Sequence, residues 1–260
     1  MNGFQMYGLD HLSPSSLNKF IDAPDAWVAE KLFKKKGAAG AAMWRGIVVE
    51  DAIAAVLEGK LDRETATKEA VADYDKKIAG LLNVKPKERD GIPGMIEQGL
   101  MALEDYPEPI LAENSRGQHK VSLKCNLDDG TSIDFIGYLD FAFGGNRKQI
   151  VDLKTTHACP SKMSFSHRVQ QTVYDLAAAD GFEVRFLYVT PKKSGLLGEE
   201  EFAGQRDEII ATIKANANRL NNLLKAGGGD PEKVANLVPV NPDSFYWSGA
   251  HEHRRAVFGV

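Results

Sequence analysis

The sequence predicts an α/β domain in which helices flank a central mixed β-sheet. Three observations predict it. Apolar residues recur at helical spacing in residues 13–57 and again in 166–225. Between those stretches the period changes to the two-residue alternation of a strand. A short apolar run, Arg185 to Thr190, is bracketed by two helical segments, as in a sheet with helical connections. With 260 residues, 43% of them hydrophobic and 26% charged, the chain can bury a sizeable core as one domain, 1–260.

Each element has its own signal. Ser13 followed by Pro14 is a helix start, a capping hydroxyl and then proline at the first helical position. Leu17, Phe20, Ile21, Trp27 and Val28 then describe one or two short amphipathic helices, interrupted at Pro24. Gly37 to Ala42 reads as a linker, and a helix from Met43 to Leu57 ends at Gly59. Residues 60–117 read as an insertion, helical and surface-exposed over 60–112, broken by Pro86, Gly91, Pro93 and Pro107. From Thr131 to Phe143, Ile133, Phe135, Leu139 and Phe141 share one strand face, while Ile136, Tyr138 and Asp140 share the other. Asp129–Gly130 is a hairpin turn that joins this strand to one at Lys120 to Asn126. A second turn, Gly144–Gly145–Asn146, leads to a third antiparallel strand, Gln149 to Thr155. A helix from Ser166 to Ala179 stops at Asp180–Gly181, before the Arg185–Thr190 strand. The final long helix, Glu199 to Lys225, carries Ile209, Ile213, Leu220 and Leu224 as its apolar stripe and closes at Gly227–Gly228–Gly229. Residues 227–260 form a C-terminal extension.

Several classes are excluded. No apolar run nears the roughly 20 residues of a membrane span, so no membrane partner is expected. The start, MNGFQMYGLDHLSPSS, lacks the basic and apolar regions of a secretory signal. Cys125 and Cys159 form no CxxC pair, so they supply neither an iron–sulfur cluster nor a four-cysteine zinc site. A reducing cytoplasm is the expected setting. The chain has no GxxxxGK[ST] loop, so no ATP is expected. The net charge of −4 does not mark a nucleic-acid binder. Local basic stretches, Lys31 to Lys36, His167–Arg168, Lys192–Lys193 and His251 to Arg255, are candidate phosphate contacts set against the alternative of solvated faces.

The chemistry concentrates around one turn. Asp152 and Lys154 are two apart on a strand, so both point to one face. Asp140 lies on the preceding strand, close to a turn that brings it beside Asp152. Two carboxylates held together repel unless a cation sits between them, and hard oxygen ligands favour Mg²⁺ or Mn²⁺. A lysine beside them can orient or activate a water and offset charge growing on a phosphate. The Asp-x-Lys spacing alone is cheap, since Glu58-x-Lys60 and Asp75-x-Lys77 repeat it in polar helical sequence. Context separates Asp152: its strand follows the one that carries Asp140. The alternative is a strand-end carboxylate merely paired with Lys154.

Two helical pairs add to this. Gly46 and Glu50 share a helix face, where the glycine lets another backbone approach. Glu50 follows the apolar run Ile47, Val48, Val49, and a carboxylate there needs a partner such as a metal. Gln170 and Tyr174, also four apart, can bond the catalytic groups or a phosphate, or merely pack.

The order of these segments resembles the PD-(D/E)XK nuclease superfamily, specifically its RecB-like branch, which includes phage and bacterial recombination exonucleases such as lambda exonuclease and RecE. The matching segments are SPSSLNKFIDAPDAW (13–27), RGIVVE (45–50), GYLD (137–140), VDLKTT (151–156) and QQTVYDLA (170–177). The resemblance implies a restriction-endonuclease-like core. It implies Asp140 and Asp152 as metal ligands with the Leu153 carbonyl, Lys154 acting on the attacking water, and Glu50 completing the acidic cluster. Gln170 and Tyr174 would support the lysine or the DNA, with Arg45 a phosphate contact. Many RecB-like members carry histidine where this chain has Glu50, and others have glutamate at Asp152. Glu113 is a further carboxylate upstream of Asp140.

The resulting expectation is a Mg²⁺- or Mn²⁺-dependent exonuclease acting on DNA, most readily on double-stranded ends, in recombination or DNA degradation. Family habit makes a homo-oligomer and a single-strand annealing protein the candidate partners. One alternative is a structure-selective or site-specific endonuclease, with residues 60–112 and Phe245–Tyr246–Trp247 supplying recognition. The other is a non-catalytic DNA-binding protein on a nuclease-like fold, against which the retention of Glu50, Asp140, Asp152 and Lys154 argues.

Overall fold

The computed structural model describes residues 1–82, 84–111, 118–145, 148–178 and 181–260. Glu113, Asn146 of the expected turn, and Ala179 and Asp180 at the expected helix end lie outside the described residues. The elements run α1 (Gly3–Met6), β1 (His11–Leu12), α2 (Pro14–Asp22), α3 (Pro24–Lys31), α4 (Ala41–Leu57), α5 (Arg63–Ile78), α6 (Pro86–Asp90) and α7 (Ile92–Ala102). They continue β2 (His119–Asn126), β3 (Ser132–Leu139), β4 (Phe141–Phe143), β5 (Gln149–Thr155), α8 (Phe165–Ala177), β6 (Glu183–Val189) and β7 (Ser194–Gly198). The chain closes with α9 (Arg206–Gly227), α10 (Pro231–Ala235) and α11 (His251–Phe258).

The expected α/β architecture is present, with the strands in two mixed sheets rather than one. The first has the order β1-β3-β2, with β1 parallel and β2 antiparallel to β3. The second has the order β4-β5-β6-β7, in which β5 and β6 are parallel and the other pairs antiparallel. The single strand expected over Thr131–Phe143 is therefore interrupted: one ladder ends at Leu139, the next starts at Phe141, and Asp140 is the corner between them. β7 was not expected; its Ser-Gly-Leu-Leu-Gly sequence lacks a strand pattern and gains its partner from β6.

Local signals account for most boundaries. The Ser13 hydroxyl accepts from the Ser16 amide ahead of Pro14, which starts α2, and Ser164 caps α8 in the same way through the His167 amide. Gly130 adopts φ +79°, as the hairpin between β2 and β3 requires. The expected long helix begins later, at Arg206, because Glu199–Glu201 and Ala203–Gln205 form two 3₁₀ turns instead. Its stripe of Ile209, Ile213, Leu220 and Leu224 is buried as expected.

The second sheet has two apolar faces. Val151, Leu153, Leu187 and Val189 join the core formed with α4, α5 and α7, while Ile150, Val184, Phe186 and Tyr188 join the core beneath α8 and α9. The alternation of β5 thus puts Asp152 and Lys154 on the α8 side. The helices of the segment expected to be surface-exposed are largely built into the first of these cores. Ile92, Met95 and Tyr74 are fully buried, and a Cβ on Gly99 would stand 2.4 Å from Ile53 Cδ1. The aromatic tail also departs from its expected role. Trp247 is buried and donates its indole N–H to Asp25 Oδ2 at 2.8 Å, while Phe245 is exposed.

Candidate active site

The corner at Asp140 follows from register. β4 and β5 pair Phe141 with Val151, so one further step of that register sets Asp140 opposite Asp152. The backbone ladder stops there and a side chain takes its place, because Asp140 Oδ2 accepts the Leu153 amide at 2.7 Å. In an extended strand the N–H and C=O of one residue leave on the same side, so the Leu153 carbonyl faces the Asp140 side as well.

The remaining groups close around this pair. Lys154 Nζ bonds Asp152 Oδ2. Gln170 Nε2 lies 3.3 Å from Asp152 Oδ1 and 2.7 Å from the Tyr174 hydroxyl, which donates to the Tyr138 carbonyl at 3.2 Å. Gln170 and Tyr174 reach this face together because they are four apart on α8. Gly137 leaves room for the tyrosine ring, since a Cβ there would stand 2.3 Å from Tyr174 Cε1. From α4, Glu50 Oε1 accepts Gln118 Nε2 at 2.7 Å, and the same amide nitrogen lies 3.3 Å from Asp140 Oδ1.

Burial and mutual repulsion dominate the electrostatics. Burial raises the Asp140 carboxyl well above the usual carboxylate range, reinforced by the charges of Asp152 and Glu50. Asp152 is raised by burial against the opposing effect of Lys154. Glu50 is raised by burial despite its bond from Gln118. Burial pulls the Lys154 amine down, but the charges of Asp152 and Asp140 outweigh it and the net shift is upward. The lysine is therefore an ammonium at neutral pH, a donor and a counter-charge rather than a free base. Burial also raises the Tyr174 phenol, which keeps its proton.

Among the described residues, no three His, Cys, Asp or Glu side chains stand close enough to hold one ion in this conformation. The Gln118 amide bonds both Glu50 and Asp140, whose carboxyl groups also bond each other, and the Lys154 ammonium occupies Asp152 Oδ2. The chemistry of the donor set nevertheless fits a hard divalent cation: neighbouring Asp140 and Asp152 oxygens, destabilised as anions, beside a backbone carbonyl.

The other expected residues are placed differently. Arg45 is 3% exposed, ion-paired with Glu88, and donates to the Thr155 carbonyl at 3.2 Å, so it faces inward instead of toward a phosphate. Gly46 is not needed for a close approach: a Cβ there would meet Thr155 Oγ1 at 3.4 Å, an ordinary contact. Arg168 bonds Gln205 and lies over the Phe165 ring. Sequence reasoning missed Gln118 and Glu88. Gln118 had a signal, because the β2–β3 register pairs His119 with Leu139 and one further step sets Gln118 opposite Asp140. Glu88 had none, since its partner lies 43 residues away.

A broken strand that places two carboxylates and a lysine on one face is the arrangement for which the Asp-x-Lys nuclease signature is named. The chain matches the PD-(D/E)XK nuclease superfamily over residues 11–236 and belongs to that family. Nucleases of this superfamily generally use divalent metals such as Mg²⁺. No curated protein matches the chain in sequence. Among solved structures, it is similar to a protein from Eubacterium rectale provisionally named an exonuclease. The two share 13% identity with a TM-score of 0.52, over 84% of this chain and 82% of that one. That likeness shows the fold. A second structure, SSO0001, covers 76% of this chain and 83% of its own at 11% identity, with a TM-score of 0.33, too low to bear on the argument.

Proposed function

We propose that this protein is a Mg²⁺- or Mn²⁺-dependent DNA exonuclease of the RecB-like branch, hydrolysing phosphodiester bonds from double-stranded ends. The observation that carries the reading is the seat of Asp140 opposite Asp152, with Lys154 on the same face. The exonuclease assignment, rather than endonuclease, follows the resemblance of the five ordered motifs and agrees with the name given to the Eubacterium rectale protein.

Asp140, Asp152 and the Leu153 carbonyl would hold the metal, with Glu50 completing the cluster. When bound, the cation supplies Lewis-acid polarisation of the phosphate and a water acidified enough to attack it. Phosphodiester hydrolysis demands a large barrier reduction, up to roughly 20 kcal/mol. Lys154, held as an ammonium, donates to the attacking water or to a phosphate oxygen and offsets the charge that grows there. Gln170 fixes the free oxygen of Asp152 and is itself held by Tyr174, so α8 orients the strand carboxylate. Gln118 bridges Glu50 and Asp140, which also touch each other, and so holds both acids at the seat the cation would occupy.

The test is digestion of end-labelled linear DNA and closed circles with Mg²⁺, Mn²⁺ or chelator. Mononucleotide release from linear DNA with circles left intact is expected, and Lys154→Ala should slow it about 10²–10³-fold or more while DNA binding persists. Cutting of circles would replace the exonuclease by an endonuclease, and inertness of the wild type with both metals would remove the enzymatic reading.

A further inference from the structure

Lys154 belongs to two surroundings. Besides Asp152, it lines a cavity of about 360 Å³ bounded by the loop after β5, the start of α8, and β6. The walls carry Thr156, Lys162, Ser164, His167 and Tyr188. No Asp or Glu is among its described lining residues, although the cavity begins where the carboxylate cluster ends. A pocket between α4 and α5 makes the contrast, since Asp51, Glu69 and Asp73 line it.

The cavity groups are donors. Lys162 is exposed and has no ion pair among the described residues. Burial and the Lys154 charge hold the His167 ring neutral, with its pKa lowered to about 4. Its Nδ1 lies 2.6 Å from the Tyr188 hydroxyl, and burial keeps that phenol protonated. The neutral ring and the phenol carry two protons and share one hydrogen bond, so in either tautomer one proton of the pair is left as a further donor. The Thr156 hydroxyl is already given to the Ala158 carbonyl at 3.1 Å, and the Ser164 hydroxyl caps α8 3.0 Å from Ser166 Oγ. Two amines and the spare proton of the His167–Tyr188 pair, around a hollow with no carboxylate among its described lining residues, suit a phosphate oxygen set.

We propose that this cavity binds a phosphate of the DNA strand next to the one being cut, with Lys162 as its principal cation and Lys154 shared between the two phosphates. The inference rests on the nuclease reading for its geometry. A terminal phosphate and an internal phosphodiester present the same chemistry, and the choice of DNA end separates them.

The experiment compares wild type, Lys162→Ala and Lys162→Glu, with Lys68→Ala on α5 as a charge control. Binding of duplexes bearing phosphate or hydroxyl at either terminus is followed by anisotropy across a salt series in chelator, and steady-state cleavage is followed in Mg²⁺. Lys162→Ala should raise KM several-fold with little change in kcat, and should reduce the salt slope of binding by about one, as loss of one phosphate contact does. Lys162→Glu should weaken binding further, and Lys68→Ala should change neither quantity. If the occupant is a terminal phosphate, dephosphorylating that end of the DNA reproduces the Lys162→Ala effect; if it is internal, all ends weaken alike. A wild type that cuts DNA while Lys162→Ala leaves KM and salt slope unchanged overturns the proposal. Lys162-dependent binding without cleavage keeps the phosphate site and removes the nuclease reading. A wild type that neither binds nor cuts DNA removes both.

Discussion

Removing the Glu88 carboxylate tests whether Arg45 is a buried structural cation. The Arg45 side chain is 4% exposed and that of Glu88 12%, so Glu88→Ala leaves a guanidinium out of water with its main counter-charge gone. Breaking a buried pair from one side costs roughly 3–5 kcal/mol. Arg45 keeps the Thr155 carbonyl at 3.2 Å, which argues for the lower end, about 3 kcal/mol. For a chain of this size that corresponds to a fall in Tm of about 6–12 °C. Replacing both partners together, as Arg45→Met with Glu88→Leu, should recover most of the loss, because neither charge is then stranded. Thermal and urea unfolding at one pH and ionic strength measure both variants. The reasoning fails if Glu88→Ala lies within about 0.5 kcal/mol of wild type, or if the double replacement is no more stable than the single one. A reduced salt slope of DNA binding in Arg45→Met would restore the phosphate-contact role expected from the motif.

Three further outcomes follow from the same geometry. Gln118→Ala removes a donor shared by two half-buried carboxylates, worth about 1.5 kcal/mol. The metal-free protein should melt lower and gain more from saturating Mg²⁺ than wild type does, and an unchanged metal-induced rise in Tm would count against Gln118 as a bridge that the metal replaces. Gly137→Ala should cost about 1–3 kcal/mol and slow cleavage by displacing the Tyr174 ring, whereas Tyr174→Phe, which keeps the ring, should lose activity with a smaller loss of stability; equal stability losses would sink this account. The Asp129 carboxyl is held below the usual carboxylate range by Lys225 first, then by Thr131 and Asn221. A depressed folded pKa gives stability that is present above the unfolded value and disappears as pH falls toward the folded one. The stability gap between wild type and Asp129→Asn should therefore narrow steadily as pH falls below about 5; a gap that widens there would refute the pairing.

Legibility in the sequence tracked the range of the interactions. Ser13–Pro14, the Asp129–Gly130 hairpin and the alternation of Ile133, Phe135 and Leu139 are local, and the structure repeats them. The convergence of Asp140 on Asp152 was also legible, because a short turn between two strands fixes register and register fixes neighbours. The break at Asp140 left no trace, since the apolar period runs through it from Leu139 to Phe141 and the interruption comes from a side chain replacing a ladder bond. Arg45 was misplaced for a different reason. An arginine beside a glycine at a helix start looks free until an acid from a distant helix meets it, and no periodicity links positions 45 and 88. Trp247 reads as a recognition element in the endonuclease alternative for want of its partner, the buried carboxylate of Asp25, which lies more than 200 residues earlier.

The seam at Asp140 has a mechanical meaning. Its neighbours on one side are tied to β2 and on the other to β5, so the gap between Asp140 and Asp152 depends on how one sheet leans on the other, with the two apolar cores acting as the wedges. Volume changes in either core, at Phe135 in one or Leu187 in the other, therefore reach the carboxylates through the tilt of whole ladders, and no loop stands between to absorb them.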